Sequence, residues 1–183
     1  SDVYKRQGDN IIDSNDQCAI GYTREPELVF GFGGTIEYKG FDLSAYFTGA
    51  ARTSTFFEDR TFWPFASGMG FFNVFKEIYD NRWTPETAGA AKYPVVTDGF
   101  NVQSMRRSTV WQKDASYLRL KNLEVGYTLP KKVVSKLKIN NLRVFVNGTN
   151  LYTWDKINHT IDPESDNWYP IQRAVNFGLA VDF

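Results

Sequence analysis

Five segments of the chain alternate apolar residues with polar or small ones, the pattern of a β-strand whose two faces meet different surroundings. The alternation is clearest in the last segment, Arg173 to Phe183. Its apolar positions are Val175, Phe177, Leu179, Val181 and Phe183. The other four segments with this period of two are 28–38, 41–49, 117–129 and 142–154. We therefore predict five strands.

The same pattern predicts where the strands are interrupted. In segment 117–129 the apolar positions shift by one residue near Asn122, which indicates a β-bulge, an extra residue in one strand of a pair. After this strand, Lys131–Leu137 is expected to form one or two helical turns. Residues 51–110 are expected to be a long, irregular, aromatic-rich insert with a short helix around Phe72–Asn81.

The connections between the predicted strands alternate strictly between long and short. The short connections are Lys39-Gly40 and 130–141, and the long ones are 8–27, 51–110 and 155–170. Outer-membrane β-barrels have short turns on the periplasmic side and long loops on the extracellular side. If the last strand ends at the periplasm, all the long segments are extracellular and all the short ones periplasmic.

The aromatic content suits a β-protein, and a barrel in particular. Aromatic residues make up 16% of the chain, and aromatic girdles are common in barrels. The last strand has the length of the roughly 9–11 residues that a tilted strand needs to cross a bilayer. We predict an all-β fold, in which about five antiparallel strands form the C-terminal part of a large transmembrane β-barrel with long extracellular loops.

The charge and the rarer residue types narrow the function. Formal net charge is zero, which gives no basic footprint for nucleic acid. His159 is the only histidine and Cys18 the only cysteine, so a multi-histidine zinc site is excluded, and neither residue belongs to a recognisable nucleophile–base pattern. We expect a protein that is not an enzyme.

Several segments resemble the SusC/RagA family of TonB-linked outer-membrane transporters. The longest is Asp114 to Pro130, with the sequence DASYLRLKNLEVGYTLP, and shorter ones are Asn141–Val146, Asn150–Trp154 and Arg82–Glu86. The resemblance implies a barrel of about 22 strands plugged by an N-terminal domain. It identifies 8–183 as the C-terminal segment of that barrel, without the plug and most of the strands.

The resemblance also implies the partners and the place of action. Such a protein lies in the outer membrane of a Gram-negative bacterium, in contact with its lipid, and imports glycans, oligosaccharides or peptides. A SusD-like surface lipoprotein covers its extracellular loops, and TonB supplies energy through the missing N-terminal part. The apolar residues of the last strand, which finish on Phe183, resemble the signal read by the outer-membrane assembly machinery.

The N-terminal residues depart from the family. Ser1–Gln7 does not match it and resembles a translated adapter sequence, so we interpret 1–7 as a non-native lead. The following residues resemble the second half of an acidic calcium loop, which makes Asp9, Asp13 and Asp16 candidate Ca²⁺ ligands. The alternative, a solvated acidic loop, is favoured by the absence of the first half of the motif. No other cofactor is expected.

Aromatic residues of the long loops are candidates for contact with substrate or partner. Trp63, Trp83, Trp168 and Tyr169 are able to stack on sugar rings or pack against a covering protein. The alternative for each is ordinary loop packing or a place in the aromatic belt at the membrane surface, and Tyr152 and Trp154 fit that belt best.

A second functional class remains open at this point. Short strands with aromatic loops are also typical of a secreted or surface β-sandwich that binds carbohydrate. The two classes differ in solubility, since a barrel protein needs detergent and a sandwich does not.

Overall fold

The computed structural model describes residues 17–57, 62, 63, 65, 74–99, 101, 102, 104–157, 161–164 and 171–183. The chain divides into two compact units. The sheet unit consists of Glu25–Thr53 and Ala115–Phe183, and the insert unit consists of Ser1–Arg24 and Ser54–Asp114. Each unit is described by itself below.

The regular elements of the described residues are strands and short helical segments. The strands are β1 Leu28–Tyr38, β2 Phe41–Ala51, β3 Ser54–Phe56, β4 Gln112–Asp114, β5 Tyr117–Thr128, β6 Asn141–Asp155 and β7 Ala174–Asp182. The helices are α1 Lys76–Asp80 and α2 Lys131–Val134, and α2 continues into a 3₁₀ turn, Ser135–Leu137.

The sheet unit is built around one five-stranded antiparallel sheet with the order β1-β2-β5-β6-β7. All five strands predicted from the alternation are present, and the all-β prediction is confirmed. Each strand pairs with the next one along this unit, so the sheet is a simple meander. The ladders place the chain reversals alternately at its two ends.

The predicted bulge is confirmed, and it explains the shift in the apolar pattern. Lys121 of β5 has no partner in either neighbouring strand, because pairing jumps from Leu120 to Asn122 on both sides. Opposite Lys121, two residues of β6, Asn150 and Leu151, are skipped in the pairing with β5. Asn150 has a left-handed φ of 53°. Since one residue is skipped, the apolar positions before and after the bulge lie on the same face of the sheet.

Both short connections of the sheet are tight. At the β1–β2 turn, Lys39 and Gly40 have φ values of 48° and 87°, and two positive φ angles are what the favoured two-residue hairpin turn requires. After β5, Pro130 precedes α2, and the 3₁₀ turn ends at Lys138, which has φ 57°. The helical turns predicted for 131–137 are confirmed.

The insert unit contains more regular structure than its sequence pattern predicted. Strands β3 and β4 pair antiparallel, and α1 lies within the predicted helical range. At three residues each, β3 and β4 are too short for alternation to be recognised in the sequence. The buried side chains of this unit are mostly apolar and aromatic: Phe57, Phe62, Ile78, Tyr93, Met105 and Trp111.

Within the described residues, none of the helices has the length and apolar character needed to cross a membrane.

Candidate functional site

One face of the sheet is apolar across all five strands. The strand pairing aligns Ile36, Leu43, Val125, Val146 and Phe177 in a single row from β1 to β7. The neighbouring row contains Tyr38, Phe41, Tyr127, Val144 and Leu179. Beyond the bulge, a third row contains Phe32, Phe47, Leu120 and Tyr152. The face is therefore continuous in both directions, along the strands and across them.

The side chains of this apolar face are unusually exposed. Phe177 is 81% exposed, Leu179 70% and Ile36 69%, although each carries a large apolar side chain. Contiguous apolar patches of more than a few hundred Å² are rare on soluble monomers, because each exposed apolar area costs free energy in water. A surface of this kind indicates apolar surroundings, as lipid provides.

The apolar positions of the last strand are part of this face. Val175, Phe177, Leu179 and Val181 pair with alternate residues of β6 from Gly148 to Leu142. All four are exposed, and Phe183, which follows the strand, is 89% exposed. The predicted apolar ladder is thus present as a row of outward side chains. Its role as an assembly signal stays a prediction.

Aromatic side chains gather toward both ends of the apolar face. At the end where the long connections leave, Tyr152 and Trp154 are half exposed, and their ring centroids lie 4.7 Å apart in an edge-to-face contact. Toward the other end, the rings of Phe41 and Tyr127 are 4.4 Å apart. Aromatic residues at both interfaces are typical of membrane-spanning barrels.

The opposite face of the sheet is polar and carries a network of hydrogen bonds. Arg143 of β6 donates to Asp42 of β2 through Nε at 3.1 Å and also through its Nη2, and donates to Glu124 Oε1 of β5 at 2.7 Å. Asn147 donates to the other Glu124 oxygen at 3.3 Å, and Asn176 of β7 donates to Asn147 at 3.0 Å. The network links four adjacent strands.

A glycine makes room for this network. Gly126 of β5 pairs directly with Asp42, and a Cβ atom built on Gly126 would collide with the carboxylate of Asp42 and the guanidinium of Arg143. Any larger residue would displace the ion pair. The opposite charges also satisfy each other's hydrogen-bonding capacity, and charge-assisted hydrogen bonds of this kind are stronger than neutral ones.

A second charged cluster lies nearer the end with the long connections. Arg119 of β5 has a side chain only 1% exposed and binds Asp162 at 2.6 Å and Glu164 at 3.1 Å. Lys121 lies 3.5 Å from the same Glu164 and is one-third exposed. Sequence reasoning missed both arginine clusters, since only the tertiary structure shows which carboxylates face which cations. Their signal was a charged residue at a polar position of an alternating strand.

The predicted loop aromatics are distributed as follows. Trp63 is partly buried and Trp83 is 44% exposed, both in the insert unit. Trp83 lies beside a tight turn in which Thr84 and Thr87 exchange hydrogen bonds, and the backbone N–H of Trp83 donates to the backbone carbonyl of Tyr93 at 2.9 Å. Trp168 and Tyr169 lie outside the described residues, and contact with substrate or partner stays a prediction for all four.

The candidate calcium ligands Asp9, Asp13 and Asp16 also lie outside the described residues. In the part of the chain that the structure describes, no three His, Cys, Asp or Glu side chains are grouped as a metal site would require. The calcium site stays a prediction.

The core of the insert unit holds two polar groups among aromatic rings. Burial, together with the nearby Glu77 carboxylate, raises the pKa of Tyr93 to about 12, and the Tyr93 hydroxyl donates to Glu77 at 3.2 Å. Lys113 lies 5.1 Å from the centre of the Tyr93 ring, and burial lowers its pKa. Both groups thus pack against the aromatic side chains of this core.

Comparison with known proteins finds relatives over nearly the whole chain, although no family model matches. The chain is 30% identical to TonB-dependent receptor P26 of Formosa agariphila, in a gapped alignment of 199 positions that covers 98% of the chain. It is 27% identical over 177 positions to TonB-dependent receptor P3 of the same species. The chain spans only 19% and 16% of these two relatives.

Solved structures show the same fold. The RagAB peptide transporter superposes on 93% of this chain with a TM-score of 0.69 and 23% identity. The RagAB peptide importer in its closed-closed state gives a TM-score of 0.68 and 24% identity. In both cases the match covers 19% of the larger chain, in agreement with a sheet that is one part of a barrel.

Proposed function

We propose that the sheet is a part of the wall of an outer-membrane importer of nutrients of the SusC/RagA type. The proposal is supported by the likeness of nearly the whole chain to two TonB-dependent receptors and by the fold it shares with RagAB. The observation that carries the proposal is the pair of opposed faces. One face is apolar, exposed and continuous over five strands, and the other holds a charged hydrogen-bonded network. This is the division between lipid and lumen that a barrel wall needs.

The lengths of the connections give the direction of the strands in the membrane. The sheet has its two tight connections at one end and its two long connections at the other. We place the tight end at the periplasm and the long connections, with Trp63, Trp83, Trp168 and Tyr169, outside the cell. A SusD-like surface lipoprotein is then the expected partner over these loops, with TonB acting through a plug domain.

The cargo is a glycan, an oligosaccharide or a peptide. The two solved neighbours are described as a peptide transporter and a peptide importer, but at their level of identity they support the fold and not the substrate. We assign no chemical step to this part of the barrel, and the cargo passes through the lumen unchanged. Ca²⁺ bound by Asp9, Asp13 and Asp16 would stabilise an outer loop and take no part in transport.

A carbohydrate-binding β-sandwich is disfavoured by the exposure of the apolar face. In a sandwich the inner faces of two sheets bury each other about 10 Å apart, and Phe177 or Ile36 would be covered. Both side chains are about as exposed as surface residues, at 81% and 69%.

The decisive experiment uses the complete gene product in its host. We expect it in the outer-membrane fraction, extracted only by detergent, with a folded form that migrates differently from the heated form in gel electrophoresis. Deletion of the gene is expected to abolish growth on one class of glycan or peptide as the limiting nutrient. A gene product that is soluble without detergent would refute the barrel, and unchanged growth on every glycan and peptide would refute import.

A further inference from the structure

Arg119 occupies an unusual position for a charged residue. It lies on the polar face of β5, between Thr48 of β2 and Thr153 of β6 in the strand register, and its side chain is only 1% exposed. A buried guanidinium is strongly unfavourable unless charged partners satisfy it. The partners of Arg119 therefore show which part of the chain this buried charge holds in place.

The partners come from the long connection that follows β6. Asp162 and Glu164 bind different nitrogens of the guanidinium, at 2.6 and 3.1 Å, although they are 43 and 45 residues further along the chain. Asp162 is itself mostly buried, with 11% of its side chain exposed. The contact joins a loop to the wall, and it does not stabilise a strand pair.

The Asp162 carboxylate also organises the loop. Its Oδ1 accepts the backbone N–H of Glu164 at 2.9 Å, and its Oδ2 accepts the N–H of Ile171 at 3.3 Å. These two amides lie on either side of residues 165–170. One carboxylate thus holds both sides of the loop base while it is neutralised by a cation in the wall.

A second contact holds the returning strand of the same loop. Asn150, at the bulge of β6, donates from Nδ2 to the Gln172 carbonyl at 3.1 Å. Asn150 has the left-handed φ of the bulge, so the irregularity in β6 places this amide where the loop returns to β7. Wall and loop are therefore joined at two points on opposite sides of the loop base.

We infer that Arg119 is a positioning residue, which locks the base of the loop between β6 and β7 to the inner side of the barrel wall through Asp162. This contact holds Asp162, Glu164 and the backbone of Ile171, on the two sides of the loop base, against the wall. The inference rests on the proposed function for its meaning, because a loop at the extracellular end is where a covering partner or cargo would make contact. Its geometry stands without that function.

The test is hydrogen exchange in the complete gene product, held in detergent or nanodiscs. In Arg119→Met the buried Asp162 carboxylate loses its cation. We then expect exchange of the Glu164 and Ile171 amides to accelerate on the order of 100-fold, the scale of removing one partner from a buried pair. The matched control is Lys121→Met on the same strand, which removes a longer, more exposed contact to Glu164. There we expect less than a threefold change, as for exposed pairs.

Two further measurements keep the inference open to refutation. The heat-dependent gel shift reports whether each variant still forms a barrel. If Arg119→Met does not form a barrel, hydrogen exchange is measured in Arg119→Lys instead. The lysine ammonium keeps the charge but does not bridge both carboxylates as the guanidinium does, so we expect about tenfold faster exchange. Unchanged exchange in the variant that folds, or equal acceleration in Lys121→Met, overturns the inference. Absence of nutrient import by the unaltered protein would refute the proposed function alone, since the exchange comparison does not depend on transport.

Discussion

Placing an arginine in the middle of the apolar face tests whether that face meets lipid. Val146 lies near the centre of β6, between Val125 and Phe177 in the strand register. An arginine at the midplane of a barrel's lipid face costs about 2–4 kcal/mol of folding free energy, and the cost falls to about 0–1 kcal/mol near the interfaces. Val146→Arg should therefore lower the folding equilibrium constant about 30- to 700-fold, since each 1.4 kcal/mol is a factor of about ten.

Two matched variants turn this cost into a test of depth and of face. Val181 lies on the same face, next to the end of β7, so Val181→Arg should cost about 1 kcal/mol or less. Asn147 follows Val146 but lies on the polar face and binds Glu124, so Asn147→Arg brings the new cation to a carboxylate. It should also cost about 1 kcal/mol or less.

The assay is a urea titration of the complete gene product in phospholipid vesicles, with the gel shift between folded and unfolded barrel as the readout. The reasoning fails if Val146→Arg is no more damaging than Asn147→Arg, because the apolar face would then not be the lipid face. It also fails if Val181→Arg costs as much as Val146→Arg, because a protein core does not grade the cost by depth along the strand.

Three further predictions concern single positions. Gly126→Val should lower the free energy of unfolding by about 1–3 kcal/mol, because the valine displaces the ion pair that fills the space at this glycine. In the control Gly34→Val the space is open, and the free energy of unfolding should change by about 0.5 kcal/mol or less. Similar costs at both glycines would contradict the packing. At Asn150, with φ 53°, substitution by valine should cost about 1–2 kcal/mol more than substitution by glycine, because both remove the hydrogen bond to Gln172 and only valine strains the left-handed backbone. The same titration would show the opposite order if the left-handed conformation were absent. Burial and Glu77 raise the pKa of Tyr93 to about 12, so the stability that the protonated phenol contributes is complete below its ordinary pKa of 10.0 and is lost as pH rises toward 12. In an ultraviolet titration, the phenol ionisation step near pH 12 should disappear in Tyr93→Phe. Retention of that step would contradict the burial of Tyr93.

Local pattern was sufficient to predict the strands of the sheet. Period-two alternation identifies a strand because successive side chains point to opposite faces, and this holds whatever the strand pairs with. The shift near Asn122 even located the bulge, since a slip of one residue would otherwise turn half of β5 inside out. The short turn at Lys39-Gly40 and the helical turns after β5 were equally local.

The insert unit shows where local pattern fails. Strands β3 and β4 have three residues each, and their pairing, with Ser54 opposite Asp114, joins positions far apart in the sequence, next to the buried side chain of Trp111. A three-residue strand has no periodicity to detect, and its stability comes from neighbours far away in the sequence. The aromatic residues of 51–110 were visible, but which of them form the core was not.

What the sequence determined by itself is the identity of the two faces, because alternation assigns each strand residue to one side or the other. Only the tertiary structure decided which charges meet on the polar side, since Arg143 finds Asp42 across 101 residues and Arg119 finds Asp162 across 43. Such pairs depend on the register between strands and on the course of a loop, and neither is encoded in local periodicity. A burial pattern is a property of one strand, whereas an ion pair is a property of the packed chain.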